Sequence, residues 1–285
     1  MLGKLYLVAT PIGNLDDITF RAIKVLKEVD LIAAEDTRHT LKLLNYYEIS
    51  KPLISYHRHN EEVKSELLIQ KLLEGKNIAV VTDAGTPGIS DPGEEIVKEA
   101  IKNEIEVVPI PGACALINAL ISSGLNTKEF AFYGFLPLNK KNRKNVLERI
   151  KKENKTVILY EAPHKLIKSL EDILENIGDI NCVLAKELTK IHEEFFRGDL
   201  SNIINDLSKK DGIKGEYIIL LDLSSLNNDE IDGKNRSEIE VADMPIEQQY
   251  EIYIAQGMSK KDAIKQIAKN KKVPKDEIYK KFIQY

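Results

Sequence analysis

Asn77-Ile78-Ala79-Val80-Val81-Thr82-Asp83-Ala84-Gly85-Thr86-Pro87-Gly88-Ile89-Ser90-Asp91-Pro92-Gly93 is the stretch that decides the fold. Residues 77–82 form a short apolar run rich in β-branched side chains, which predicts a buried strand. Gly85, Pro87, Gly88, Pro92 and Gly93 then break any regular element. Residues 94–103 resume a helical pattern. Strand, glycine-rich loop and helix is the repeating unit of an α/β sheet, in which ligands sit beyond the carboxyl ends of the strands.

Working outward, the alternation repeats. Residues 5–9, 31–34, 53–56 and 105–110 read as further strands. Ile18, Ala22, Ile23, Leu26 and Val29 share one helical face, Leu41 and Leu44 mark a helix after Thr37, and Asn60 can cap a helix that stops at Gly75. Residues 112–123 read as another helix. The pattern breaks near 125–129 and restarts, with strands at 130–134, 156–160, 181–186 and 217–223 and helices at 140–152 and 163–176. This alternation predicts an α/β protein with largely parallel sheets covered by helices. The expected boundaries are an α/β lobe over 1–125, a second α/β lobe over 126–223 and a polar linker over 224–245. A helix-turn-helix-like domain follows over 246–285.

The 285 residues, 43% hydrophobic and 30% charged, are long enough for two domains and exclude collagenous and disordered classes. With 41 Lys+Arg against 45 Asp+Glu the net charge is −4, so a nucleic-acid partner must meet a local basic patch. Two segments offer one. Lys140, Lys141, Arg143, Lys144, Arg149, Lys151 and Lys152 face only Glu148 within 139–152, and residues 259–285 hold nine lysines against three acids. The uncharged run 107–127 spans 21 residues, but Pro109, Pro111, Gly112 and Gly124 argue against a membrane span. Cys114 and Cys182 are the two cysteines, which excludes a disulfide scaffold and suggests a reducing cytoplasm.

Four loops fall at strand ends: Ala9–Asn14, Glu35–Arg38, Thr82–Gly93 and Pro109–Ala115. The third is neither G-x-G-x-x-G nor a phosphate-binding G-x-x-x-x-G-K-[ST] loop. Its glycines allow close backbone approach and its prolines stiffen it. That suits a cofactor with flat and zwitterionic parts and no polyphosphate, such as S-adenosylmethionine. His57 and His59 lack further ligands in the pattern, so no metal site is expected. Hydrolase signatures are absent from the sequence.

Taken in order, Leu7–Leu15, Ala34–Arg38, Ser55–His57, Thr82–Gly93, Pro111–Gly112, Tyr133–Pro137, Tyr160–His164 and Lys186–Lys190 resemble the tetrapyrrole methylase superfamily, in particular its ribosomal RNA methyltransferases. The resemblance covers about residues 4–222, and the tail is similar to a small helical domain found there. It implies two α/β lobes with the cofactor in the cleft between them, usually as a homodimer. It also implies methyl transfer from S-adenosylmethionine to a cytidine 2′-hydroxyl in the decoding region of 16S rRNA. Ala84, Gly85, Thr86 and Pro87 match the cofactor loop, with Thr86 where an Asp is common. Ala113 and Cys114 match small residues facing the cofactor, and Tyr160 and Glu161 match a strand end from the other lobe. Arg58 stands where an acidic residue is expected.

The reaction needs an oriented hydroxyl and a proton acceptor. The candidates are Glu35, Asp36 and Arg38, faced by Lys186 and Glu187. A carboxylate, Asp36 or Glu35, takes or orients the proton, while Arg38 holds a phosphate or ribose. Two other functions fit the same fold: methylation of a tetrapyrrole carbon, and non-catalytic RNA binding.

Overall fold

The computed structural model describes residues 1–210, 212–224, 244–255, 258–271 and 273–283. It divides into two compact units, Met1–Leu223 and Ser224–Tyr285.

The first unit contains two five-stranded sheets. In the first, β1 (Leu5–Val8), β2 (Leu31–Ala34), β3 (Leu53–Ser55), β4 (Ile78–Val81) and β5 (Val107–Ile110) lie in the order β3-β2-β4-β1-β5. Every pairing is parallel. All four residues of β4 are buried because both faces of the sheet are covered. Ala79 and Val81 pack with Leu26 of α1 (Phe20–Glu28) and Leu44 of α2 (Thr37–Tyr46). Ile78 and Val80 turn the other way, to Leu68 and Leu72 of α3 (Glu61–Leu73) and Ile96 of α4 (Glu94–Lys102). The period of two thus builds two cores from one strand.

The last helix of this lobe, α5 (Ala115–Ser123), serves the other sheet. Leu116, Ala119 and Leu120 bury themselves against Ile158, Val183, Ala185, Ile218 and Leu220. Those residues belong to β7 (Thr156–Glu161), β8 (Asn181–Lys186) and β10 (Tyr217–Asp222). With β6 (Phe130–Phe135) and β9 (Glu194–Asp199), the order is β6-β7-β10-β8-β9. Helices α6 (Lys140–Ile150), α7 (Leu166–Asn176) and α8 (Leu200–Ser208) cover the opposite face.

This second sheet is mixed. Only β6 and β7 pair in parallel, while β10 runs against both β7 and β8, and β9 runs against β8. Largely parallel pairing, expected from the alternation of elements, therefore holds in the first sheet alone. The connection from β8 to β9 is too short for the crossover that parallel neighbours need. The sequence reading also missed β9 and α8, because β9 mixes Phe195 and Phe196 with charged residues at the sheet edge.

Arg143 departs from its expected place in an outward basic patch. Its Nε lies 2.7 Å from Asp172 Oδ2 on α7, with the two side chains 17% and 8% exposed. Lys168 Nζ reaches the other oxygen at 2.9 Å. The nearby Arg149 guanidinium lies over the Tyr133 ring.

The described residues of the second unit form three helices, α9 (Ile246–Ala255), α10 (Lys260–Lys271) and α11 (Lys275–Ile283). Tyr253, Ala263, Ile264, Ile267 and Ile278 form its core. Ser259 Oγ accepts from Asp262 N at 3.2 Å, the expected half of a capping box, and donates to Asp262 Oδ2 at 2.6 Å, so the carboxylate bonds the hydroxyl where a full box would use the backbone N–H. Among the described residues no helix is long and apolar enough to cross a membrane.

Arg143→Ala leaves the Asp172 carboxylate buried with Lys168 alone, so stability falls by roughly 3 kcal/mol, the low end for breaking a buried pair. A urea titration checks this, and an unchanged midpoint would contradict it.

Candidate active site

Polarity begins at the carboxyl ends of the first sheet. The loops after β1 and β4 are zipped together: Thr10 N donates to Gly85 O at 2.9 Å and Gly85 N to Thr10 O at 3.1 Å. Thr10 Oγ1 donates to Thr82 O at 3.1 Å. Thr86 Oγ1 donates to the Ala113 carbonyl at 3.1 Å, which ties in the loop after β5. At the far end of the same loop Gly93 has φ +149°, and a Cβ there would stand 3.0 Å from Gly88 N, so glycine is required. Gly93 N donates to Glu61 Oε1 at 3.0 Å, and the Tyr56 hydroxyl donates to the same oxygen at 3.3 Å. Burial pushes the Tyr56 hydroxyl up to about 12, so it remains a donor.

The second sheet supplies the facing wall. Because β10 is antiparallel to its neighbours, its first residue Tyr217 stands opposite both Glu161 and Lys186, the last residues of β7 and β8. The Tyr160 hydroxyl accepts from Leu116 N at 3.2 Å, joining β7 to the first turn of α5. Burial pushes that hydroxyl up to about 12. Glu161, 5% exposed, accepts from Ser169 Oγ at 2.5 Å and Ala162 N at 2.9 Å.

Between these walls lies a cavity of about 310 Å³. Ile12, Phe135, Tyr160, Leu188 and Ile218 give it flat apolar surfaces. Asp91, Glu161 and Glu216 are among its lining residues, but the Glu161 carboxylate is taken by Ser169 and Ala162 and that of Glu216 pairs with Lys190 Nζ at 3.1 Å. No Lys or Arg is among the described residues lining it. Such a lining suits a flat ligand that carries positive charge, and opposes a polyphosphate.

Of the residues expected at the cofactor, Ala84, Gly85, Thr86, Cys114, Tyr160 and Glu161 line this cavity. Pro87 is buried behind the loop. Ala113 contributes its carbonyl to Thr86. Ile89, Ser90, Asp91 and Phe135 lie within the motifs quoted from the sequence, but their places on the wall went unread. Nothing in the sequence marked Glu216, Tyr217 and Ile218, because the insertion of β10 between β7 and β8 is a tertiary event.

The expected catalytic residues stand outside that lining. Asp36 caps α2, its Oδ1 accepting from Arg38 N at 2.8 Å and its Oδ2 from Arg38 Nη2 at 2.8 Å. These bonds hold its carboxyl down at about 2. Arg38 is strongly exposed. Glu35 is the opposite case: burial first, then Asp91 and Asp83, hold its carboxyl above the usual range, with Arg58 opposing. Burial also raises Asp91, again with Arg58 opposing. Arg58 Nη2 donates to the Ser90 carbonyl, so one guanidinium fastens the cavity loop and faces two acids. Sequence reasoning noted Arg58 only as a departure.

Lys186 Nζ meets Glu194 Oε2 at 3.5 Å. Glu187 lines a second, more open cavity of about 630 Å³ with Asp16, Lys190 and His192. Burial favours its neutral form. Hydrogen bonds from Lys190 Nζ and Glu216 N, both at 2.9 Å, outweigh this and hold the carboxyl below its usual range.

A family profile described as Tetrapyrrole (Corrin/Porphyrin) Methylases matches residues 4–204. The chain is 49% identical over 277 residues to ribosomal RNA small subunit methyltransferase I of Halalkalibacterium halodurans, covering 97% of this chain and 93% of that one. It is 49% identical over 278 residues to the protein of the same description from Bacillus subtilis, covering 98% and 93%. Among solved structures, uroporphyrin-III-C-methyltransferase from Thermus thermophilus superposes with a TM-score of 0.54 at 20% identity, over 80% of this chain and 98% of that one. Diphthine synthase superposes with a TM-score of 0.60 at 16% identity, over 77% and 90%. These two likenesses establish the two-lobed fold. The chain belongs to the tetrapyrrole methylase family, and within it to the ribosomal RNA small subunit methyltransferase I group.

Proposed function

We propose that this chain transfers the methyl group of S-adenosylmethionine to the 2′-hydroxyl of a cytidine in the decoding region of 16S rRNA. The observation that carries this reading is the flat-walled cavity built jointly by both lobes, with Asp91 and no Lys or Arg among the described residues lining it, in a chain so close to the ribosomal RNA methyltransferases. S-adenosylmethionine fits that lining: it has a flat adenine, a sulfonium and an ammonium, and no phosphate. When bound it supplies an electrophilic methyl on positively charged sulfur.

The chain's residues do the rest. The backbone of Ala84–Thr86 lies against the cavity, with Tyr160 offering a ring surface and Asp91 a carboxylate that complements positive charge. Cys114 and the Ala113 carbonyl shape the α5 side. Of the two candidate proton acceptors, Glu35 is the better base, because a carboxyl raised towards neutrality accepts a proton more readily than Asp36 at about 2. Asp36 then orients Arg38, whose exposed fork receives a substrate phosphate. Lys186 and Glu187 border the substrate side from the second lobe. The lysines of α10 at 260, 261, 265 and 269 are exposed and give the rRNA a second electrostatic contact. A homodimer and a cytoplasmic location belong to the same proposal.

Titration calorimetry with S-adenosylmethionine tests the cavity. Tritiated-methyl transfer to small subunits or naked 16S rRNA, with a porphyrinoid as the competing acceptor, tests the substrate. Transfer to the porphyrinoid alone would reject the proposal, and binding of RNA without transfer would reject the enzyme.

Glu35→Gln has two effects of opposite sign. Methyl transfer falls by about 10²–10⁴-fold, the range for a positioned base. Thermal stability rises near pH 8, because a carboxyl whose folded-state value is raised penalises the fold only when ionised. That gain fades as the pH drops through the ordinary carboxylate range, about 4, where the wild-type group is already neutral. Melting curves across pH, beside the transfer assay, check both effects.

Arg58→Ala weakens S-adenosylmethionine binding by about tenfold, the size of one charge-assisted hydrogen bond. It also moves the acidic limb of the pH–rate profile to higher pH, since Arg58 opposes the upward shifts of Glu35 and Asp91. Calorimetry and the pH–rate profile read the two effects separately.

A further inference from the structure

Strand β6 changes its alternation partway along. Phe132 pairs with Ile158 and Gly134 with Leu159, so Tyr133 is an extra residue, and Gly134 takes φ +64°. Regular alternation would send Phe132 and Phe135 to opposite faces. The bulge sends both to the same one, where their ring centroids lie 4.9 and 5.7 Å from that of Tyr160. Tyr133 goes to the other face and donates to Glu153 Oε1 at 2.7 Å. Phe132 is used up in the core between the lobes. Phe135 is not: it lines the cavity while remaining 56% exposed.

The chain beyond Phe135 continues this surface. Leu138 is 73% exposed. Asn139 then caps α6, its Oδ1 accepting from Asn142 N at 3.1 Å, and Lys140, Lys141 and Lys144 are exposed on that helix. None of the three is in an ion pair among the described residues. An outward ring at the mouth of the cavity, followed by cations held on an ordered helix, is the combination that grips a single nucleic-acid strand.

Resting on the proposed RNA methyl transfer, we infer that Phe135 is a stacking platform for an unpaired base of the substrate strand at the cavity mouth. Lys140, Lys141 and Lys144 hold the phosphates that follow. The bulge is the device that aims the ring, and the ring sets which nucleotide presents its ribose to the cavity. Phe135 acts on the substrate and leaves the cofactor alone.

The test uses the full chain and a decoding-region rRNA fragment with 2-aminopurine beside the acceptor cytidine. Phe135→Ala raises the KM for this RNA by about tenfold or more, the cost of losing one base–aromatic stack. Phe135→Tyr restores it. The fluorescence quenching that accompanies binding to the wild type is lost in Phe135→Ala, while the Kd for S-adenosylmethionine changes less than about twofold, the noise of such context effects. Replacing Lys140, Lys141 and Lys144 with Gln flattens the salt dependence of RNA binding by about 0.7 in log–log slope per lost phosphate contact. Failure of the wild type to methylate any rRNA would overturn the proposed function itself. A wild type that methylates normally beside an equally active Phe135→Ala overturns only the platform. Loss of S-adenosylmethionine affinity in that variant would make Phe135 a cofactor contact, and a change in oligomeric mass would make it a subunit contact; either result overturns the inference.

Discussion

The structure depends on where α5 buries its apolar face. Leu116, Ala119 and Leu120 leave the lobe that produced them and join the core beneath β7, β8 and β10. This makes the two sheets one body, and it fixes the distance between the walls of the cavity. The Tyr160 hydroxyl on Leu116 N and the Thr10–Gly85 bridge then set the position of the walls locally. Hydrophobic burial supplies the attraction and the few hydrogen bonds supply the registration. A polar substitution on that face of α5 would therefore damage both the fold and the site.

Charge is organised around that scaffold with little waste. Acids gather at one side of the cavity, at Asp91 and the neighbouring Glu35 and Asp83. The lysines of α6 at 140, 141 and 144 and those of α10 at 260, 261, 265 and 269 sit outward. A chain of net charge −4 can thus offer a cationic ligand an acidic interior and an RNA strand basic surfaces. The raised carboxyls of Glu35 and Asp91 are the energetic cost of keeping acids half-buried side by side.

Much of the first lobe was legible in the sequence, for physical reasons. Buried parallel strands are continuous apolar runs, and the loop ending at Gly93 announces itself through glycines and prolines that few other structures need. The candidate cofactor residues in that loop and at Tyr160–Glu161 came from the family resemblance that those motifs carry. The second sheet was less legible, because strand direction is not encoded in apolar content, and β9 carries too many charges to read as a strand. The role of Arg143 was hidden for a similar reason: a run of cations looks solvated until its one buried carboxylate, Asp172, is seen. Glu216–Ile218 could not be found by pattern at all, since their place on the wall depends on partners 30 to 60 residues away along the chain.

The central position of β10 has a consequence for biosynthesis. It is the last strand of its unit to be translated, yet it fills the gap between β7 and β8. The first sheet, complete once residues 107–110 have emerged, can assemble early on the growing polypeptide. The other must wait, with the facing edges of β7 and β8 unpaired, until residues 217–222 leave the exit tunnel. Such open edges recruit foreign strands. A nascent chain stalled with Tyr217–Asp222 still inside the tunnel would accordingly be a client for chaperones, whereas one stalled with Leu223 already outside would not.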